Sequence, residues 1–119
     1  MGFENNRAKI SEVGDTGIEN YTMINFHTIG SGSIQAQNTL LFQNHSKDDD
    51  LKTTLYNVYK AKKNSEAMQG VGEETDIGFL TSNGLVMLNE KNVKILDEIY
   101  NLELNCGKEH EKLNDLKFN

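Results

Sequence analysis

Two apolar segments, Thr75-Asp-Ile-Gly-Phe-Leu-Thr81 and Leu85-Val-Met-Leu88, flank Ser82-Asn-Gly84. Asn-Gly accepts positive φ in a tight turn, so this arrangement predicts a β-hairpin. Its strands are apolar on both faces. Ile77 and Phe79 oppose Leu80, and Leu85 and Met87 oppose Val86 and Leu88. A strand apolar on both faces is covered on both faces. The hairpin therefore calls for a layered fold with more sheet than this chain supplies.

The remaining pattern fits that demand. The 119 residues suit one domain with one modest core. There is no proline, so Gly, Asn, Asp and Ser must mark the turns. Ala8–Val13 alternates partially and predicts a strand. Val13-Gly-Asp-Thr-Gly17 predicts a turn, and Tyr21–Ile29 a second strand with Ile24, Phe26 and Thr28 on one face. A hairpin with a long polar connection is expected. From Ser33 the period changes, and Ile34, Ala36, Leu40 and Leu41 predict a short helix with one buried stripe.

Asp48-Asp-Asp50 then opens a stronger helix. Leu51, Leu55, Val58 and Lys62 fall at i, i+4, i+7 and i+11, with Ala61 beside them. The aspartates suit its positive end, and Lys60, Lys62 and Lys63 its negative end. A loop, Gln69–Glu74, precedes the hairpin. Asn89 can cap a third helix with a stripe of Val93, Leu96, Ile99 and Tyr100. The tail from residue 104 is charged and weakly patterned, either helical or disordered. Hairpins and helices in separate runs predict an α+β fold, an antiparallel sheet with helices on one face.

Charge and cysteine content restrict the function classes. The net charge is -6, which gives no general attraction to nucleic acid or to anionic membranes. One cysteine, Cys106, cannot form an internal disulfide. That favours a reducing compartment, and the cytoplasm is the expected location. No apolar run approaches the roughly 20 residues that span a bilayer, and the N-terminus lacks the apolar centre of a signal peptide. Asn20-Tyr-Thr and Asn44-His-Ser match the glycosylation pattern but lack a secretory context.

The joint His27-Thr-Ile-Gly-Ser-Gly-Ser-Ile-Gln-Ala-Gln-Asn-Thr-Leu-Leu41 leads from strand to helix through two glycines and two serines. Such a joint can offer amides to an anion. No Gly-Lys-Ser/Thr follows, which removes the P-loop. Residue 35 is Gln where a dinucleotide fingerprint has its third glycine. Neither Ser31 nor Ser33 has the Gly-x-Ser-x-Gly frame of a nucleophile elbow. A tight turn with a serine cap is the expected structure.

His27, His45 and His110 contain no His-x-x-x-His pair, so no metal is expected. Asp48 to Asp50 lack the alternating ligands of a calcium loop. Lys108 and His110 can lower the pKa of the Cys106 thiol, but no base is placed beside it by spacing. No complete catalytic set and no cofactor site follow from these residues alone.

Several stretches in a fixed order carry a resemblance. They are the joint Ile24-Asn-Phe-His-Thr-Ile-Gly-Ser-Gly32, the charged helix after it, the strand run Gly70-Val-Gly-Glu-Glu-Thr-Asp-Ile-Gly-Phe79, the Asn-Gly hairpin and the Glu-rich last helix. Together they resemble the C-terminal half of proteasome-type subunits. The resemblance runs from about Arg7 to Leu102 and includes the leading Arg7–Tyr21 strand, turn and strand. The family is the N-terminal nucleophile hydrolases. It implies an αββα sandwich of two antiparallel sheets, of which this chain would be half, in ring assemblies. It also implies a processed N-terminal Thr, Ser or Cys nucleophile on the other half of the fold.

The chain opens Met1-Gly2-Phe3 and offers no such nucleophile. By resemblance, Ser31 is the joint serine that supports the nucleophile's amine. Glu66-Ala-Met-Gln-Gly70 is similar to the family's Asp-x-x-Ser-Gly run, with Glu66 for Asp and Gln69 for Ser. The catalytic residues implied are thus accessory only, Ser31 and Glu66.

Residues 1–103 are expected to form the half-domain and 104–119 the charged tail. The resemblance implies peptide or amide hydrolysis if another segment brings the nucleophile. Two alternatives are a non-catalytic, self-associating scaffold or regulator, and a small unrelated α+β binding module. The expected partner is a second copy or the missing N-terminal half, and neither nucleic acid nor membrane.

Overall fold

Asn5 and Asn6 both take positive φ, 51° and 63°. This is the geometry of a primed two-residue turn, for which Asn is suited. It closes β1 (Gly2–Glu4) onto β2 (Arg7–Lys9) in antiparallel register. These observations come from a computed structural model, which describes residues 1–22, 25–106 and 115–117.

The chain divides into two units, Met1–Leu88 and Asn89–Asn119. The first contains β1, β2, β3 (Ser11–Gly14), β4 (Gly17–Asn20), α1 (Ser33–Phe42), α2 (Leu51–Ser65), β5 (Gly78–Thr81) and β6 (Gly84–Met87). The second contains α3 (Glu90–Cys106). The class is α+β, and every strand pair is antiparallel. The expected single sheet is replaced, among the described residues, by three separate two-stranded hairpins.

The first expected hairpin lies elsewhere in the sequence. Gly14 pairs with Gly17 around Asp15-Thr16, and Val13 pairs with Ile18. The second strand of that hairpin is therefore Gly17–Asn20, inside the expected connection. Tyr21–Ile29 is not a strand in its described part; Met23 and Ile24 lie outside the described residues.

One backbone bond, Tyr21 N–H to Ile10 O at 2.7 Å, holds the start of this segment, and side chains hold the rest. Ile10 N–H donates to Thr22 Oγ1 at 3.2 Å, Thr22 N–H to Asn20 Oδ1 at 2.8 Å, and Lys47 N–H to Asn25 Oδ1 at 3.0 Å. Such bonds compete with regular pairing and override β-rich composition.

The helices carry the core of the first unit. α1 and α2 pack on each other, and the buried residues of the pair are Thr39 and Leu40 from α1 and Asn57, Tyr59, Ala61 and Ser65 from α2. Thr39 can be buried because its hydroxyl donates to Gln35 O and accepts from Asn64 Nδ2, both at 3.0 Å. The expected α1 stripe is only partly correct. Leu40 is buried, but Ile34 is 71% exposed and Leu41 is 56% exposed.

α1 ends in a Schellman motif. Asn44 takes φ 52°, its N–H donates to Leu41 O, and His45 N–H donates to Leu40 O. The expected serine cap at the other end is absent. Gly32 is the N-cap and supplies no side-chain bond.

α2 begins as its aspartates predict. Asp50 Oδ1 accepts from Thr53 N–H at 2.7 Å, and the Thr53 side chain and then this N–H hold its carboxyl below the usual range. The later hairpin also forms as expected, though shorter. Thr81 pairs with Gly84 around Ser82-Asn83, and Gly84 rather than Asn83 takes the positive φ of 128°. Among the described residues the expected cover reaches β5, which is half-buried along its length, but not β6, where Leu85, Val86 and Met87 are all exposed.

In the second unit, Asn89 Oδ1 accepts from Asn92 N–H at 2.9 Å and caps α3. α3 continues through Leu104 to Cys106, which makes the first residues of the expected tail helical.

Burial at the α1–α2 contact predicts a contrast between neighbours. Leu40→Ala should cost about 3 kcal/mol, as for a buried leucine left as a cavity. Leu41→Ala should stay within about 0.5 kcal/mol. Urea unfolding of both variants checks this; equal costs would show that the packing is wrongly assigned.

Candidate functional site

The apolar stripe that α2 presents at i, i+4, i+7 and i+11 does not enter the packed core. Leu51, Leu55, Val58 and Lys62 line a cavity of about 800 Å³. Leu51 is 48% and Val58 43% exposed. The facing walls come from Phe26–Ile29 of the irregular segment, Ala36 and Leu40 of α1, Val71, and Ile77–Leu80 at β5. Among the described apolar residues of the first unit, only Leu40, Tyr59, Ala61 and Ile77 are buried. On this side the described residues thus line a space rather than fill it.

The glycine-rich joint meets the next loop at the cavity edge. Gly32 is packed so closely that a Cβ there would sit 2.7 Å from Ser65 Cβ. Gly70, at φ 89°, lies against Ser31; a Cβ added to it would be 3.4 Å from Ser31 Oγ. The joint serine and the end of the Glu66–Gly70 run are therefore neighbours, and both Ser31 and Gly70 line the cavity.

Glu66 is occupied by lysines. Lys62 Nζ donates to Oε2 at 3.0 Å and Lys63 Nζ to Oε1 at 2.9 Å. Burial pushes this carboxyl up, but the bonds from Lys63 and Lys62 outweigh it and hold the pKa below the usual range. Lys62 also donates to Gly72 O, which ties the helix end to the loop.

Two histidines stand on the cavity wall. His27 Nε2 is 2.9 Å from Glu12 Oε2, and its ring stacks on Tyr21 with centroids 3.6 Å apart. Tyr21 in turn donates to Glu19 Oε2. That bond, then burial and the charges of Glu19 and Glu12, push the phenol up to about 12. His45 is buried. Its Nδ1 lies 3.1 Å from the Asn57 side-chain amide and 3.3 Å from Asp49 Oδ2.

No spacing in the sequence marks these histidine pairs, because Glu12 and Asn57 lie 15 and 12 residues from His27 and His45. Neither histidine is hydrogen-bonded to a Ser, Thr or Cys among the described residues. No activated nucleophile is built among them. Asp50 serves the start of α2, and no group of three or more His, Cys, Asp or Glu among the described residues could hold a metal ion. Lys108 and His110, considered as neighbours of the Cys106 thiol, lie outside the described residues.

No described helix is long and apolar enough to cross a membrane. Comparison with protein-family models, curated proteins and solved structures finds no match.

The environment of Glu66 sets a pH prediction. A carboxyl whose folded pKa is lowered contributes stability above its unfolded value, near 4.5, and loses it as pH falls through the folded value. The wild-type chain should thus lose stability through this acid range, while Glu66→Gln should be less stable at neutral pH and show a shallower loss. Thermal midpoints from pH 7 downward check this. Parallel curves for the two chains would mean that the lysine pairs do not matter.

Proposed function

We propose that this chain is half of a proteasome-type N-terminal nucleophile hydrolase, completed by another polypeptide segment. Hydrolysis of peptide or amide bonds would belong to the completed assembly. The observation that carries the need for completion is the α2 stripe, which lines an open cavity instead of a core. A regular apolar stripe on a helix is a surface for packing, and the described residues offer nothing that fills the space beside it. The hydrolase part rests on the resemblance and on the apposition of Ser31 with Gly70, the two runs that the resemblance places beside the nucleophile.

Two facts weigh on the other side. Tyr21–Ile29 does not pair as a strand in its described part, and Glu66 is already neutralised by Lys62 and Lys63. Under this proposal the separate hairpins are strands waiting for a shared sheet, since two-stranded hairpins are marginal alone. Of the two accessory residues, Ser31 would then be the one left for chemistry, with Glu66 structural. The single cysteine supports a cytoplasmic setting.

A second proposal is a non-catalytic protein that self-associates through exposed apolar surface. Leu85, Val86 and Met87 on β6 and Phe42 at the end of α1 favour it.

The isolated chain separates these proposals. If it is half of a hydrolase, it should unfold over a broad thermal range, associate without fixed stoichiometry and cleave no fluorogenic peptide. A defined oligomer without hydrolysis supports the scaffold. A monomer that melts sharply and hides its apolar surface overturns both. Light scattering, calorimetry and a peptidase assay on one preparation give the answer.

A further inference from the structure

We infer that the cavity takes an extended apolar segment of a partner, with lysine or arginine at the end that meets the loop before β5. This rests on the proposed need for completion and specifies the chemistry of what completes it.

The extended form follows from β5. Gly78, Phe79 and Leu80 of β5 are consecutive, and all line the cavity, as does Ile77 just before them. Successive strand residues face opposite sides of the sheet, so a strand that lines a space with three consecutive residues presents its edge to it. β5 pairs with β6 on one side and has no second neighbour among the described residues. An unpaired edge is a template for an added strand. Such a strand would satisfy the edge with its main chain and send alternate side chains over Leu55 and Val58.

The charge follows from the loop. Glu73, Glu74 and Asp76 lead directly into β5, and Glu74 lines the cavity. These three carboxylates make no ion pair among the described residues, and Glu73 and Asp76 are exposed. The neighbouring lysines do not offset them fully: Lys62, the cation on the cavity wall, is bound to Glu66 and Gly72 O, and Lys63 shares Glu66. A segment seated on the β5 edge brings one end toward Glu74 on the cavity wall, with Glu73 and Asp76 adding to the local negative charge. A basic end is attracted there and an acidic end repelled. The same rule disfavours a second copy as occupant, since each copy carries -6.

Short labelled peptides test this on the intact chain. One alternates Val and Thr and ends in two lysines; a second ends in two glutamates; a third repeats the first with alternate main-chain nitrogens methylated. Anisotropy should show the lysine peptide bound about tenfold more tightly than the glutamate peptide at low salt, with the gap closing as salt rises. The combined change Glu73→Gln, Glu74→Gln and Asp76→Asn should remove the gap while leaving the chain folded by circular dichroism. Methylation should abolish binding.

Equal binding of the lysine and glutamate peptides overturns the charge assignment and leaves the open cavity standing. Undiminished binding of the methylated peptide overturns strand addition. Failure of every peptide to bind overturns the inference, and if the chain also melts sharply as a monomer, the proposed function falls with it.

Discussion

The side of α2 that the described residues leave unfilled is the constraint on which the rest of the first unit depends. The helix packs on α1 and buries Asn57, Ala61 and Ser65 along one face, with Tyr59 buried on another. Between them the regular apolar stripe borders a cavity. Most of the free energy of folding comes from removing apolar surface from water, so a domain that leaves its best apolar stripe partly wet has little stability to spare. The buried polar residues show the same shortage. Asn57 is tolerated because its amide bonds to His45, and Ser65 because it donates to Lys62 O. Polar bonds hold this interface where apolar filling is scarce.

Legibility in the sequence follows the kind of signal. Local chemistry is legible: Asp50 caps α2, Asn89 caps α3, and the Asn-Gly hairpin forms at Thr81–Gly84. These depend on a few neighbouring atoms. The periodicity of α2 is legible as a stripe, but periodicity reports which residues want cover and not whether cover exists. The strand expected at Tyr21–Ile29 does not form in its described part. Its β-rich composition gives way to long-range bonds from Ile10 and Lys47, which no local pattern encodes. The β1–β2 hairpin escapes the sequence pattern because Asn5-Asn6 is a turn signal without an apolar alternation beside it.

The candidate site is legible in one part only. Ser31 stands out in the sequence as the centre of a glycine-flanked joint, and it does lie at the cavity edge. Its approach to Gly70 is a tertiary contact between loops far apart in sequence. Glu66 is found by likeness to a carboxylate run, yet its lysine partners at i-4 and i-3 are equally visible and decide its state. The pairs His27–Glu12 and His45–Asn57 are invisible in the sequence because only folding brings them together. Both histidines line the cavity.

Binding of an environment-sensitive apolar dye, measured on the native chain and on Val58→Lys, tests most directly whether the α2 stripe faces an open cavity. The native chain should bind the dye, and the variant should keep its helical circular dichroism while losing most of that binding. A Val58→Lys chain that unfolds, or a native chain that ignores the dye, would contradict an open cavity beside α2.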